Sequence, residues 1–333
     1  MRSSAPLRAW RAVIWIVVLL AALFYLPTPY VVMAPGDAVD LRTAIRVAGH
    51  PSPAHPLYLT DVLLYPASPL GLLAKYAPGY RLLRRSDLEP AGIPSQEYRE
   101  VLRRSMAESQ QAAAVVGERA AGYRVATPPS RVRVVAVLKN SRARGLLEPG
   151  DIVMAVDGST VTSLARMVAI VGTHPVGGAP VSVQIDRDGS RHVVSIPTSA
   201  SAQGQPRIGV LIAAELGQAN LPVPVHFGGE LERISGSSGG LMMALEIYRT
   251  LGGQSLGEAP VAGTGTIDFD GNVGAIDGAA QKVIAAKRAG AKIFLCPPDN
   301  YHEIKGTRGI RVIPVATFEQ ARKALAAGQQ RAA

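Results

Sequence analysis

The sequence predicts a multidomain α+β protein: an N-terminal transmembrane helix, a central module of short strands with one helix, and a C-terminal α/β domain. Three observations carry that prediction. A charge-free stretch runs from Ala12 to Gly36. Residues 122–198 break into short alternating segments separated by turns. From residue 205 to 326, strand-like and helix-like runs alternate, as in layered α/β or α+β domains. With 333 residues the chain has room for two or three such domains.

Ala12 to Leu26 is almost wholly aliphatic, and with Pro27 to Met33 it reaches the roughly 20 apolar residues that a spanning helix needs. Arg2, Arg8 and Arg11 precede it, whereas Asp37 and Asp40 follow it. The positive-inside rule then predicts residues 1–11 as a cytoplasmic tail and 12–33 as a single-pass anchor in the cell membrane, with the bulk of the chain extracytoplasmic. The rival is a cleaved signal peptide. Val32-Met33-Ala34 has small-residue character at the right places, but Pro35 makes a poor cleavage site, so the retained anchor is preferred.

The formal charge of +10 invites a nucleic-acid reading. Lys and Arg are scattered, however, with local pairs at Arg84-Arg85 and Arg103-Arg104 and no interleaved aromatics. The charge is therefore read as solubility or attraction to an anionic membrane surface, and no nucleic-acid partner is predicted. Cys296 is the only cysteine, which excludes an intrachain disulfide and a cysteine metal site. It ends the apolar run Ile293-Phe294-Leu295 and reads as a buried small hydrophobe. No His/Asp/Glu cluster has metal-ligand spacing, so neither metal nor cofactor is predicted.

Residues 34–94 mix short apolar runs with many prolines and read as a small strand-containing region. Residues 95–121 read as a helical connector, polar for much of its length and therefore laid against neighbouring domains. In the central module, Val132–Val137 and Val181–Ile185 read as strands, Gly145–Gly158 as a turn, a strand and a second turn, and Ser163–Val171 as a helix. Ser199 to Gly204 reads as a flexible linker. Beyond it, strands are predicted at Ile208–Ile212, Val223–Phe227 and Pro260–Phe269, with a hairpin turn at Asp270-Gly271-Asn272. Two further strands, Lys292–Cys296 and Ile310–Val315, precede a last helix opened by the capping box Thr317-Phe318-Glu319-Gln320.

The chemistry lies in this last domain. The loop Ile234-Ser235-Gly236-Ser237-Ser238-Gly239-Gly240 leads into the apolar helix Leu241–Leu251, which puts a serine where free N–H groups can hold an oxyanion. Gly239 and Gly240 leave backbone open to a close substrate. The plain alternative is that Ser237 or Ser238 merely caps the helix. Downstream, Gly278-Ala279-Ala280-Gln281-Lys282 opens a second helix. On a helical wheel Lys282 shares its face with Ala285, Ala286 and Ala289, while Gln281 and Arg288 point nearly the opposite way. A buried amine tends to lose its proton and becomes a usable base; a snorkelling lysine at the face's edge is the alternative. His226, twelve residues before Ser238 on an apolar strand, could pair with it but more often such a histidine is a core or rim residue.

The segment Leu-Glu-Pro-Gly-Asp-Ile-Val-Met-Ala-Val-Asp-Gly, residues 147–158, resembles the bacterial protease-associated PDZ type. That resemblance implies peptide binding at a sheet edge, with the carboxylate loop near Gly122-Tyr123 and Ser163–Val171 as the groove helix. Ser-Gly-Ser-Ser-Gly-Gly-Leu-Met-Met-Ala-Leu and Gly-Ala-Ile-Asp-Gly-Ala-Ala-Gln-Lys resemble the proteolytic domain of Lon proteases, over roughly Pro206 to Gln320. The resemblance places Ser238 on the nucleophile, Lys282 on the general base and Thr264 on a threonine beside the dyad. It also implies ring assembly, a hexamer, and protein or peptide substrates. With the anchor, the layout is similar to bacterial membrane-anchored PDZ–Lon-domain proteins. Ser237 and Gly239 stand where the family usually has proline and alanine, and Asp277 stands where it usually has glycine. The chain contains no Walker A pattern, so the expected activity is an ATP-independent Ser-Lys endopeptidase. The rival expectation is a catalytically silent, membrane-tethered PDZ scaffold.

Overall fold

The two ends of the chain build one sheet, and the central module is threaded between them. The computed structural model describes residues 5–88, 95–200, 205–252, 256–257 and 259–330. Helix α1 (Ala5–Tyr25) leads into strands β1 (Tyr30–Asp40), β2 (Leu57–Pro66) and β3 (Arg81–Arg84), and then into helix α2 (Ser95–Ala120). The central module holds β4 (Ser130–Val137), β5 (Ile152–Val156), α3 (Leu164–Gly172), β6 (Val181–Arg187), β7 (Ser190–Ile196) and β8 (Val210–Leu216). The C-terminal part holds α4 (Gly240–Thr250), β9 (Val261–Gly263), β10 (Thr266–Ile267), β11 (Val273–Gly274) and α5 (Ala279–Arg288). It closes with β12 (Ile293–Cys296), α6 (Pro298–Ile304), β13 (Arg311–Pro314) and α7 (Phe318–Gln330).

The larger sheet has the order β13-β12-β9-β2-β1-β3. Its C-terminal strands run parallel, β9 also pairs parallel with β2, and β1 pairs antiparallel with both β2 and β3. The region 34–94, expected to stand apart, thus supplies strands to the C-terminal domain's own sheet. The expected anchor is corrected at the same place. Val31, Val32 and Met33 are buried in β1 rather than extending an apolar helix, and α1 stops at Tyr25. Among the described residues no helix is long and apolar enough to cross a membrane.

The second sheet has the antiparallel order β8-β4-β5-β6-β7, covered by α3, around a core that includes Val132, Val134, Leu147, Met167 and Ile185. Ser163 caps α3 through its hydroxyl, which accepts the Arg166 N–H at 3.0 Å. The module does not end at residue 198. Ser199–Ala200 pairs with Pro206–Arg207, and β8 then lies along the whole of β4, so both flanks of the expected linker belong to the module. Residues 201–204 lie outside the described residues.

Helix α2 joins the two parts. Its Ala112 to Val116 stretch is buried against α4, and Gly117 permits the crossing: a methyl there would sit 2.9 Å from the Ala244 carbonyl. The predicted strand Pro260–Phe269 is split into β9 and β10 by a turn at Thr264-Gly265, where Gly265 has φ +150°. The capping box forms: the Gln320 N–H donates to the Thr317 hydroxyl at 3.2 Å, and the Ala316 N–H donates to the Gln320 side chain at 2.8 Å.

Candidate active site

Ser238 immediately precedes α4, whose cap position is held by Gly239 with φ −98°. Neither serine is therefore the cap. A methyl on Gly239 would fall 2.2 Å from Leu59 Cδ1, so the β2 side chain occupies the space an alanine would need. That accounts for the departure from alanine at this position.

Lys282, on the buried face of α5, is 3% exposed. Its Nζ donates to Ser238 Oγ at 2.8 Å and to Thr264 Oγ1 at 3.3 Å. The Thr264 hydroxyl in turn donates to the Ser238 carbonyl at 3.0 Å, and the Gly265 N–H donates to the same carbonyl at 2.8 Å. The three expected residues are thus brought together by the start of α4, the turn after β9 and the first turn of α5. Burial pulls the Lys282 pKa down from 10.5 to about 8, against the opposing fields of Asp277 and Asp61. Asp277 is exposed and forms no ion pair with the amine among the described residues. An amine held by two hydroxyls and no carboxylate can accept the proton of one of them.

The N–H groups of Gly240 and Leu241 are already bonded, to the Ser237 and Gly265 carbonyls. The expected anion site at the helix start therefore shifts back by one or two residues. Among the described residues neither the Ser238 nor the Gly239 N–H has an acceptor.

Gln281 departs from the wheel. It is buried, and its amide donates to the Gly79 carbonyl at 3.2 Å, because the loop before β3 covers that side of α5. Arg288 is exposed as expected. Cys296 is fully buried, which pushes its thiol up to about 12. His226 is exposed and pairs across strands with Arg46. No group of metal-ligating side chains occurs among the described residues.

Helix α2 supports the serine loop: the Ser109 hydroxyl donates to the Ser237 carbonyl at 3.0 Å, and the Gly236 N–H donates to Leu102 at 3.1 Å. Ser109, Leu59 and Asp61 were not foreseen as neighbours of the site, because all three reach it from remote parts of the sequence.

Gly122 and Tyr123 are not at a peptide groove. Gly122, at φ +98°, ends α2 with its N–H on the Arg119 carbonyl, and Tyr123 packs on the larger core. The open edge of the smaller sheet is β8, beside α3 and preceded by a turn at Gly209 with φ +72°. A methyl on Gly209 would lie 2.5 Å from Ser141 Oγ. A cavity of about 660 Å³ runs from this edge to the serine loop, with Val168, Ile212, Ser237 and Phe269 among its walls.

A family model of the Lon protease (S16) C-terminal proteolytic domain matches residues 219–321, and a PDZ-domain model matches residues 106–198. The archaeal Lon protease of Methanocaldococcus jannaschii is 35% identical over 101 residues, 30% of this chain and 15% of that protein. Lon protease 2 of Bacillus subtilis is 35% identical over 99 residues, 29% of this chain and 18% of that protein. The chain therefore spans less than a fifth of the length of these curated relatives. Among solved structures, the PDZ domain of the SdrC-like protein of Listeria monocytogenes is 21% identical and covers 27% of this chain and 93% of that one, with a TM-score of 0.24. The PDZ domain of the SdrC-like protein of Listeria innocua is 26% identical and covers 25% and 92%, also with a TM-score of 0.24. With one match on the central module and the other on the part that carries Ser238 and Lys282, the chain contains a PDZ domain and a Lon-type proteolytic domain.

Proposed function

We propose that this chain is a serine endopeptidase that uses a Ser-Lys dyad, needs no ATP and is held at a membrane by α1. The observation that carries the reading is the buried Lys282 amine, 2.8 Å from the Ser238 hydroxyl with no carboxylate partner. Ser238 Oγ attacks the peptide carbonyl while Lys282 Nζ takes its proton, and the amine then returns that proton to the departing peptide nitrogen. The Ser238 and Gly239 N–H groups receive the oxyanion, and Thr264 fixes the direction of the amine. Water repeats the sequence on the acyl-enzyme. ATP independence rests on the missing Walker A pattern.

The PDZ domain binds extended peptide or protein termini along the β8 edge. Membrane attachment rests on α1, where Val13, Trp15, Val17, Leu19 and Leu20 are all exposed around the helix.

Hydrolysis of an unfolded protein substrate without nucleotide is the direct test. Ser238→Ala and Lys282→Ala should each abolish it. Activity retained in either variant rejects the dyad, and loss confined to Ser237→Ala moves the nucleophile by one residue. Full-length protein should co-sediment with anionic vesicles, and a chain lacking residues 5–25 should not.

A further inference from the structure

We propose that the cavity between α2, α3, β8 and the serine loop binds an extended peptide that carries a basic side chain, received by Glu108, beside an apolar one. The proposal rests on the endopeptidase reading and names its substrate class. In a chain of formal charge +10, the described residues lining this cavity include Glu108, Asp268 and Asp299 and no Lys, Arg or His. A cleft of one sign within a protein of the other focuses the field on ligands of opposite charge.

The three carboxylates are not equivalent. Asp268 is engaged within its own hairpin, accepting the Asp270 and Asn272 N–H groups and the Asn272 amide. Asp299 is exposed at the start of α6. Glu108 projects from α2, accepts the Leu164 N–H at the start of α3 and has no ion-pair partner among the described residues. Burial pushes its carboxyl up to about 7, the response of a carboxylate that lacks a nearby cation. An ammonium or guanidinium entering the cavity supplies one.

The remaining walls specify the rest of the ligand. Leu164, Val168, Ile212, Ile267 and Phe269 offer an apolar surface, and about 660 Å³ accommodates a few side chains. The unpaired β8 edge supplies main-chain partners for an extended strand. Ser237 belongs to the same cavity and adjoins Ser238, so a peptide seated there leads to the hydroxyl.

The test measures binding without cleavage. Full-length Ser238→Ala protein in detergent is titrated with a labelled apolar decapeptide carrying one lysine, and with the same peptide carrying norleucine or glutamate there. The lysine peptide is expected to bind about tenfold tighter than the norleucine peptide, with the glutamate peptide weakest. Glu108→Gln should collapse the lysine-to-norleucine ratio toward one, and Glu108→Lys should turn the preference toward glutamate. Equal affinities across the three peptides, or a ratio unchanged in Glu108→Gln, overturn the proposal. Should Glu108→Gln not fold, the peptide series alone still decides it. Cleavage of the same peptides by the unsubstituted chain separates the two readings. Binding with charge preference but no cleavage sinks the dyad alone, whereas cleavage without charge preference sinks only the Glu108 site.

Discussion

Asp151 in the PDZ domain and Lys282 in the proteolytic domain are both almost completely buried, and the two are treated in opposite ways. In the PDZ domain Asp151 is 1% exposed and receives Arg187 in two hydrogen bonds of 2.7 and 2.8 Å, plus the Glu148 N–H at 2.8 Å. Burial, the largest single influence, would raise its pKa, but the Arg187 bonds, the Glu148 N–H and the Arg187 charge together outweigh it and hold the carboxyl below its usual value. In the proteolytic domain Lys282 is 3% exposed and meets only hydroxyls, so burial wins and its pKa falls. A buried charge with a full set of partners stays charged, whereas one left without a counter-ion is pushed toward its neutral form.

Lys282→Met tests this contrast most severely. It should lower kcat/KM by at least about 10³-fold while leaving stability equal or higher, because it removes an uncompensated buried amine. A loss of stability equal to that of Asp151→Asn would break the comparison. Asp151→Asn should cost about 3 kcal/mol in urea unfolding, because Arg187 loses its charged partner, with cleavage of a short peptide largely kept. Thr264→Val, which removes a hydroxyl from both the amine and the Ser238 carbonyl, should lower kcat roughly 10–100-fold with KM little changed.

The pH dependence sharpens the same point. The base must be neutral, so the rate should rise as pH passes about 8, where the buried amine loses its proton. Between about 8 and 10.5 the unfolded chain binds a proton that the folded chain lacks, so stability should also rise with pH there. Asp277→Asn removes a field that favours the charged amine and should move the rate midpoint downward. Gly239→Ala should cost about 1–3 kcal/mol of stability through strain against Leu59, and Leu59→Ala in the same chain should relieve it.

The candidate pair, Ser238 and Lys282, was legible because both signals are local. Ser238 stands at a loop-to-helix junction, and the alanines that share a face with Lys282 mark that face as inward; Ala285 and Ala286 are indeed buried. What escaped depends on partners far away in sequence. Nothing near Leu57 announces parallel pairing with Val261, and that pairing carries Leu59 to Gly239. Gln281 read as exposed for the same reason: its cover, Gly79, comes from the other end of the chain. Tyr30 to Met33 was ambiguous, since an apolar run serves a buried strand as well as an anchor. The place of β8 in the smaller sheet was missed because its antiparallel partner, β4, lies far back in the chain.

The sheet assembled from distant parts of the chain also governs when the candidate site can first form. At about 5–20 residues per second, the ribosome delivers β9 roughly 10–40 s after β2, and α5 later still. The PDZ domain is complete before then, while β1, β2 and β3 can pair with one another but the outer edge of β2 waits for β9. The Ser238–Lys282 pair can therefore form only after α5 has been made.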